Sequence, residues 1–229
     1  MAAPAVVPFR NIRPRFLDGL AAAEVKIIVS AAKQRRYLAN SVMANQGHPA
    51  DHFFLLLAGR ARYFHITPDG RKTILYWLPP GEIFGAAALL STPSEYLVST
   101  EALKDSSVLV WDRATMRGLI ARYPRLTDNA LLIMYDYLVF YRAAHISLTR
   151  DTAGQRLAHV LANLASGIGH RVAEGIELDV RNEELANEAN VTPFTASRLL
   201  SAWQRKGILI KRRGKVLLRF PERLFLEEV

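Results

Sequence analysis

Eight basic side chains fall between Thr192 and Arg219, and no Asp or Glu lies among them. They are Arg198, Arg205, Lys206, Lys211, Arg212, Arg213, Lys215 and Arg219. Cations gathered this way suit one kind of chemistry, the neutralisation of a polyanion such as the phosphate backbone of a duplex. The segment just upstream, "NVTPFTASRLLSAWQRKGIL", supplies a reader for such a partner. Thr192 is a good N-cap and Pro193 suits the first helical position. Ala196, Leu199, Leu200 and Trp203 recur every three or four residues and make a stripe to be buried. Phe194, Thr195, Ser197, Arg198 and Ser201 are left facing outward as candidate base contacts. Thr192, Arg205, Lys206, Lys211, Arg212, Arg213 and Lys215 are the candidate phosphate contacts.

Other elements must hold that helix in place. Asn182 is expected to cap a short helix, "EELANEA", in which Ala186 is small enough for two helices to cross closely. Asn190 falls where the chain must turn sharply, and Asn tolerates the left-handed region better than most residues. After the second helix, "ILIKRRGKVLLR" reads as a hairpin with bases at its tip. Short helix, tight turn, polar-faced helix and basic hairpin describe a winged helix-turn-helix, whose second helix fits a major groove about 12 Å wide. A solvated amphipathic helix with basic decoration is the plainer account, and eight uninterrupted bases argue against it.

The chain has 229 residues, half of them hydrophobic, and a net charge of +9. That is enough for one large domain or two modest ones, with an anionic partner favoured but not chosen. There is no cysteine, so disulfides, thiolate zinc sites and cysteine-ligated iron–sulfur clusters are excluded. The start, "MAAPAVVPFRNIRPRF", lacks the basic and apolar regions of a secretory signal. The longest apolar run, Ala130 to Tyr141, contains Asp136 and falls short of the roughly 20 residues that span a bilayer. A cytoplasmic protein without a membrane partner is expected.

From about Arg35 to Asp112 short aromatic and aliphatic runs alternate with turn signals such as "TPDG", as in a small antiparallel barrel or sandwich. Asp112 is placed to cap "RATMRGLIARY". A long helix is expected from about Arg125 to Leu148, apolar around most of its circumference. One side can face the β domain, and the other is covered by a second copy of the same helix or, in the plainer account, by the core of a monomer. Leu131, Met134, Leu138 and Tyr141 are the candidate dimer residues. Asp151 and Thr152 offer a break and a cap, with "AGQRLAHVLANLA" following. "SGIGHRVAEGIELDV" is expected to be a loop leading into a strand-like segment. The expected class is α+β: a β-roll sensor domain at 1–112, connecting and dimerisation helices at 113–149, and a winged helix-turn-helix domain at 150–229.

This order of elements resembles the Crp/Fnr family of bacterial transcription regulators. The most specific pieces are "GRARYFHITPDGRKTILYWLPPGEIFG", "QRLAHVLANLA" and "NEELANEANVTPFTASRLLSAWQRKGIL". The resemblance implies a jelly-roll sensor of the cyclic-nucleotide-binding type, a homodimer joined through the long helix, and a palindromic promoter site on double-stranded DNA. It also implies RNA polymerase and a small-molecule effector as further partners.

Two departures bear on the site. In the reading helix the family commonly shows an Arg-Glu pair and then Thr-x-x-Arg. Thr195 and Arg198 match, whereas Pro193 and Phe194 replace the charged pair. Arg198 still suits guanine, and Phe194 would pack on thymine methyl groups or fill space. In the sensor, cyclic-nucleotide binders of the family carry Glu-Leu after "FG" for the ribose and Arg-Ser or Arg-Thr for the phosphate. Here those positions read Ala86, Ala87 and Tyr96, Leu97. No Lys, Arg or His lies between Lys72 and Lys104, and a buried phosphate without a cation is costly. Cyclic AMP and cyclic GMP are therefore not expected as tight ligands.

Phe84, Gly85, Ala86, Ala87, Tyr96 and Leu97 form the candidate effector pocket, with Tyr96 at the mouth of the barrel. Haem held by histidine stays open, although His48, His52, His65, His145, His159 and His170 are scattered. An apolar effector and no effector at all stay open too. No Gly-rich phosphate loop, G-x-S-x-G elbow or paired helical histidines suggest an enzyme. The competing function is a cyclic-nucleotide-binding-like ligand module acting through protein or RNA contacts.

Overall fold

Gly59 takes the chain out of its most apolar strand and into the opposite sheet. Its φ is 95°, and a Cβ there would lie 2.6 Å from the carbonyl oxygen of Asp105. Only glycine permits that approach. The computed structural model describes residues 14–70 and 72–225. The N-terminal stretch in which no secretory signal is expected therefore lies, up to residue 13, outside the described residues.

Helix α1 (Ala22–Ser30) precedes eight strands: β1 (Lys33–Tyr37), β2 (Val42–Ala44), β3 (His52–Ala58), β4 (Ala61–Ile66), β5 (Lys72–Leu78), β6 (Ile83–Phe84), β7 (Ser99–Ala102) and β8 (Ser106–Asp112). They form two four-stranded sheets, ordered β1-β8-β3-β6 and β2-β7-β4-β5. The assigned pairings are antiparallel, with Phe54 opposite both Phe84 and Val110. This is the expected jelly roll. Strand β3 is buried from Phe53 to Leu57 because both of its faces are covered. Phe16 and Trp111 lie against Phe53 at ring separations of 4.9 and 6.0 Å, while Phe54 stacks on Phe84 at 4.5 Å. The Trp111 indole N–H donates to the Ile28 carbonyl at 2.8 Å, which ties α1 to the roll.

Helix α2 (Arg113–Arg122) starts as expected, with the Asp112 carboxylate accepting from both the N–H and the hydroxyl of Thr115 at 2.8 Å. Helix α3 (Arg125–Arg150) runs two residues beyond the expected end. Its buried positions Leu126, Ala130, Ile133 and Tyr137 are spaced by four, three and four residues, one narrow stripe. The chain divides into two compact units, with the break in α3 between Leu138 and Val139.

The C-terminal unit contains α4 (Ala153–Gly167), β9 (His170–Val172), β10 (Gly175–Leu178), α5 (Asn182–Glu188), α6 (Pro193–Arg205), β11 (Leu209–Arg212) and β12 (Lys215–Leu218). Its sheet is ordered β11-β12-β10-β9. Thr152 and Gln155 cap α4 reciprocally at 3.2 and 2.8 Å. Two expectations are corrected. The stretch after α4 does lead into a strand, β10, but the part before it is a strand too, and β9 pairs with β10 as a hairpin on the edge of the sheet. Asn182 is not the cap of α5. Arg181 holds that position; its N–H donates to Glu184 Oε2 at 2.9 Å, and the Glu184 N–H turns back to the Arg181 carbonyl at 3.0 Å. Among the described residues, no helix is long and apolar enough to cross a membrane.

Candidate nucleic-acid interface

The turn between α5 and α6 is set by two local devices. Asn190 adopts φ of 49°, and the Val191 N–H reaches back to the Ala186 carbonyl at 2.9 Å. Thr192 then closes α6, its hydroxyl accepting from the Thr195 N–H at 3.1 Å. Ala196, Leu199, Leu200 and Trp203 are all buried, as their spacing predicts, so α6 is seated by one face. The other face carries the predicted readers. Phe194 is 79% exposed at the first turn. Arg198 is exposed, while Thr195, Ser197 and Ser201 are half-buried beside it. The Ser201 hydroxyl is already engaged, donating to the Ser197 carbonyl at 2.8 Å and accepting from Lys211 Nζ at 3.1 Å.

The wing is the β11–β12 hairpin, turning at Gly214 with φ of 70°. Its bases have no acid among them in sequence, yet acids reach them in space. Strand β10 lies beside β12 and delivers Glu177 to Lys215 Nζ at 2.6 Å and to Arg212 at 3.5 Å. Glu174, in the turn before β10, sits 3.4 Å from Arg212. The Lys215 ammonium holds the Glu177 carboxyl below the usual carboxylate range, and Glu177 holds Lys215 above its own. By contrast, Arg198, Arg205 and Arg213 are exposed and form no ion pair among the described residues.

In the sensor unit the candidate pocket residues divide. Phe84 is fully buried against Phe54, and Gly85 has φ of 76°, with a Cβ there falling 2.7 Å from the His52 carbonyl oxygen and 3.2 Å from the Tyr96 ring. Gly85 and Tyr96 are thus brought together. The Tyr96 hydroxyl donates to the His52 carbonyl at 2.9 Å and accepts from the His52 N–H at 3.1 Å. Ala86 and Ala87 open a short 3-10 turn and are half-buried, whereas Leu97 is 86% exposed.

Cations within the roll escape the sequence argument, which counts only the stretch from Lys72 to Lys104. Arg60 and Arg62 are both buried on or next to β4, and Arg62 pairs with the buried Glu101, which also binds Lys72. Along α3 the dimer candidates divide too. Leu131 and Leu138 are exposed, Tyr141 is only marginally so and Met134 is half-buried. The exposed apolar face also holds Leu132, Tyr135, Val139 and Ile146.

Comparison with known proteins agrees with this architecture. Residues 34–123 match the model of the cyclic nucleotide-binding domain, and residues 155–225 match that of the Crp-like helix-turn-helix domain. The chain is 30% identical over 214 residues to the cyclic AMP receptor protein of Thermus thermophilus, covering 92% of this chain and 94% of that one. This chain belongs to the Crp/Fnr family of transcription regulators. Another Crp/Fnr relative, the anaerobic regulatory protein of Bacillus subtilis, is 22% identical over 213 residues, covering 92% of this chain and 90% of that one. The solved structure of FixK2 from Bradyrhizobium japonicum shares the Crp/Fnr fold, with a TM-score of 0.75 at 23% identity, over 86% of this chain and 98% of that one. Like the family, this chain is a DNA-binding transcription regulator. Ala86, Ala87, Tyr96 and Leu97 all lie within the matched cyclic-nucleotide-binding segment.

Proposed function

We propose that two copies of this chain pair through α3 and read a palindromic promoter site, each placing α6 in a major groove. Phe194, Thr195, Ser197, Arg198 and Ser201 face the bases, and Thr192, Arg205, Lys206, Lys211, Arg212, Arg213 and Lys215 face phosphates. Residues 1–112 act as sensor, 113–149 connect and dimerise, and 150–229 bind DNA. The observation that carries the reading is the seating of α6: one face fully buried, Arg198 and Phe194 exposed on the other, and the wing joined to the same helix where Lys211 donates to Ser201. The half-site departs from the family's usual one, because Phe194 offers thymine a methyl contact where a carboxylate would accept from cytosine.

The sensor does not respond to cyclic AMP or cyclic GMP. Support comes from Tyr96, whose hydroxyl is spent on the His52 backbone at the position where the family places a phosphate-binding arginine. The buried Arg62 of the roll does not replace it, since it is already committed to Glu101. The chain works in the cytoplasm with RNA polymerase as a partner, and it catalyses no reaction. Selection from a random duplex library gives the half-site. A strong cytosine preference opposite Phe194 contradicts this reading of α6. Calorimetry with each cyclic nucleotide tests the sensor, where micromolar binding would overturn that part.

A further inference from the structure

We propose that Glu174 and Glu177 restrain the affinity of this chain for DNA of any sequence, by competing with phosphates for the wing cations Arg212 and Lys215. The inference rests on the reading that places the wing at the phosphate backbone. The two acids are 38 and 35 residues away in sequence from the nearer cation each contacts, and the pairing of β10 with β12 brings them together. Lys215 Nζ is 2.6 Å from Glu177, and Arg212 is shared between Glu177 at 3.5 Å and Glu174 at 3.4 Å. Both cationic side chains remain nearly half exposed, at 49% and 44%, so a phosphate can reach them. The Glu177 carboxylate has 19% exposure and stays beside the wing whichever anion the cations bind.

The consequence follows from counterion release. A free cation that meets a phosphate displaces condensed ions from DNA, and affinity gains about a factor of eight per contact at 0.1 M salt relative to 1 M. Arg213 and Arg205 are of this kind. A cation already held by a carboxylate exchanges one anion for another and leaves that carboxylate facing the DNA. Its gain is largely cancelled. Arg198 lies on α6, away from this exchange, so base preference is untouched while the sequence-independent hold is weakened. A regulator that must leave random DNA to find its site benefits from that balance.

The experiment uses the full chain and a random-sequence duplex of about 30 base pairs, followed by fluorescence anisotropy from 50 to 300 mM KCl. Glu174→Gln/Glu177→Gln should bind about tenfold more tightly at 0.1 M, with a salt slope steeper by about 1 to 2. Its order of base preference on a library should match that of the parent. Arg212→Ala/Lys215→Ala is measured with and without the two glutamines. The cation loss should be small beside the acids and large without them. If it is equally large in both, the competition is refuted while the wing reading stands. If it is negligible in both although the chain binds duplex, the wing does not touch phosphates and the underlying reading fails. Glu174→Gln alone, in an exposed turn, carries the test through Arg212 should the double variant not fold. Binding unchanged from the parent then overturns the proposal.

Discussion

Arg156 donates through Nε to the carbonyl of Ala189 at 2.9 Å, joining the first turn of α4 to the end of α5. The same guanidinium donates to the Asp151 carbonyl at 2.8 Å and to the Asn190 carbonyl at 3.3 Å. Ala189 and Asn190 are the turn that aims α6, and their carbonyls lie where a short helix leaves acceptors unpaired and favours a cation. Arg156→Met keeps the aliphatic stem and leaves those oxygens without their charged donor. We expect about 2 kcal/mol of lost stability in the C-terminal unit, read by thermal melting of Trp203 fluorescence in a variant lacking Trp77 and Trp111. An unchanged melt would show that water serves these carbonyls equally well.

Arg198 stands over the buried stripe of α6 without an ion pair among the described residues. Arg198→Ala should cost about 1–3 kcal/mol on the selected site and relax the preference at one base pair. Arg213→Ala should weaken binding to every duplex and flatten the salt slope by about 1. Competition binding against single-base variants separates the two behaviours. Equal loss across all base pairs for Arg198→Ala would reassign that residue to the backbone.

The apolar face of α3 offers a sharper dimer test than its sequence alone. Tyr135 is 63% exposed and Leu138 is 65% exposed, in a stripe opposite Ile133 and Tyr137. A charge placed there meets either water or a partner helix. Leu138→Arg or Tyr135→Glu should yield monomers at micromolar concentration in sedimentation velocity and weaken binding to a full palindrome far more than to a half-site. Met134→Arg, on the half-buried edge, should disturb the sensor unit instead. Dimers that persist through both α3 charges would move the interface elsewhere.

What was legible in the sequence was local. The Thr192 cap, the left-handed Asn190, the Asp112 cap and the α6 stripe each follow from residues within one or two turns, and the structure bears them out. Strand β1, Lys33–Tyr37, carries mostly exposed polar residues because it is an edge strand, so no alternation marked it. Helix α1 is tied to the roll through Trp111, 83 residues away, a contact no pattern near it announces. The acids on the wing were hidden for the same reason. Glu177 and Lys215 are 38 residues apart, and only the register of β10 with β12 makes them neighbours.

Glu82 is a pH-dependent group of the sensor unit. Burial raises its carboxyl above the usual range, opposed by the Tyr137 hydroxyl that donates to it at 3.1 Å and by Arg15, and reinforced by Asp136. Tyr63 and Tyr76 pack around Tyr137 with ring separations of 6.0 and 4.8 Å, and burial lifts the Tyr137 hydroxyl well above its usual value. A carboxyl with a raised folded pKa binds its proton more tightly in the folded chain than in the unfolded one. Its contribution to stability is therefore full below the unfolded carboxylate value of about 4.3 and is lost as pH rises through the folded value. Glu82→Gln keeps an acceptor for Tyr137 and removes the charge. The variant should melt up to about 4 °C higher than the parent at pH 8, the shift that roughly 1 kcal/mol gives a chain of this size. The difference should vanish by pH 4. A parent that is the more stable of the two at pH 8 would mean that Tyr137 and Arg15 outweigh burial at this carboxylate.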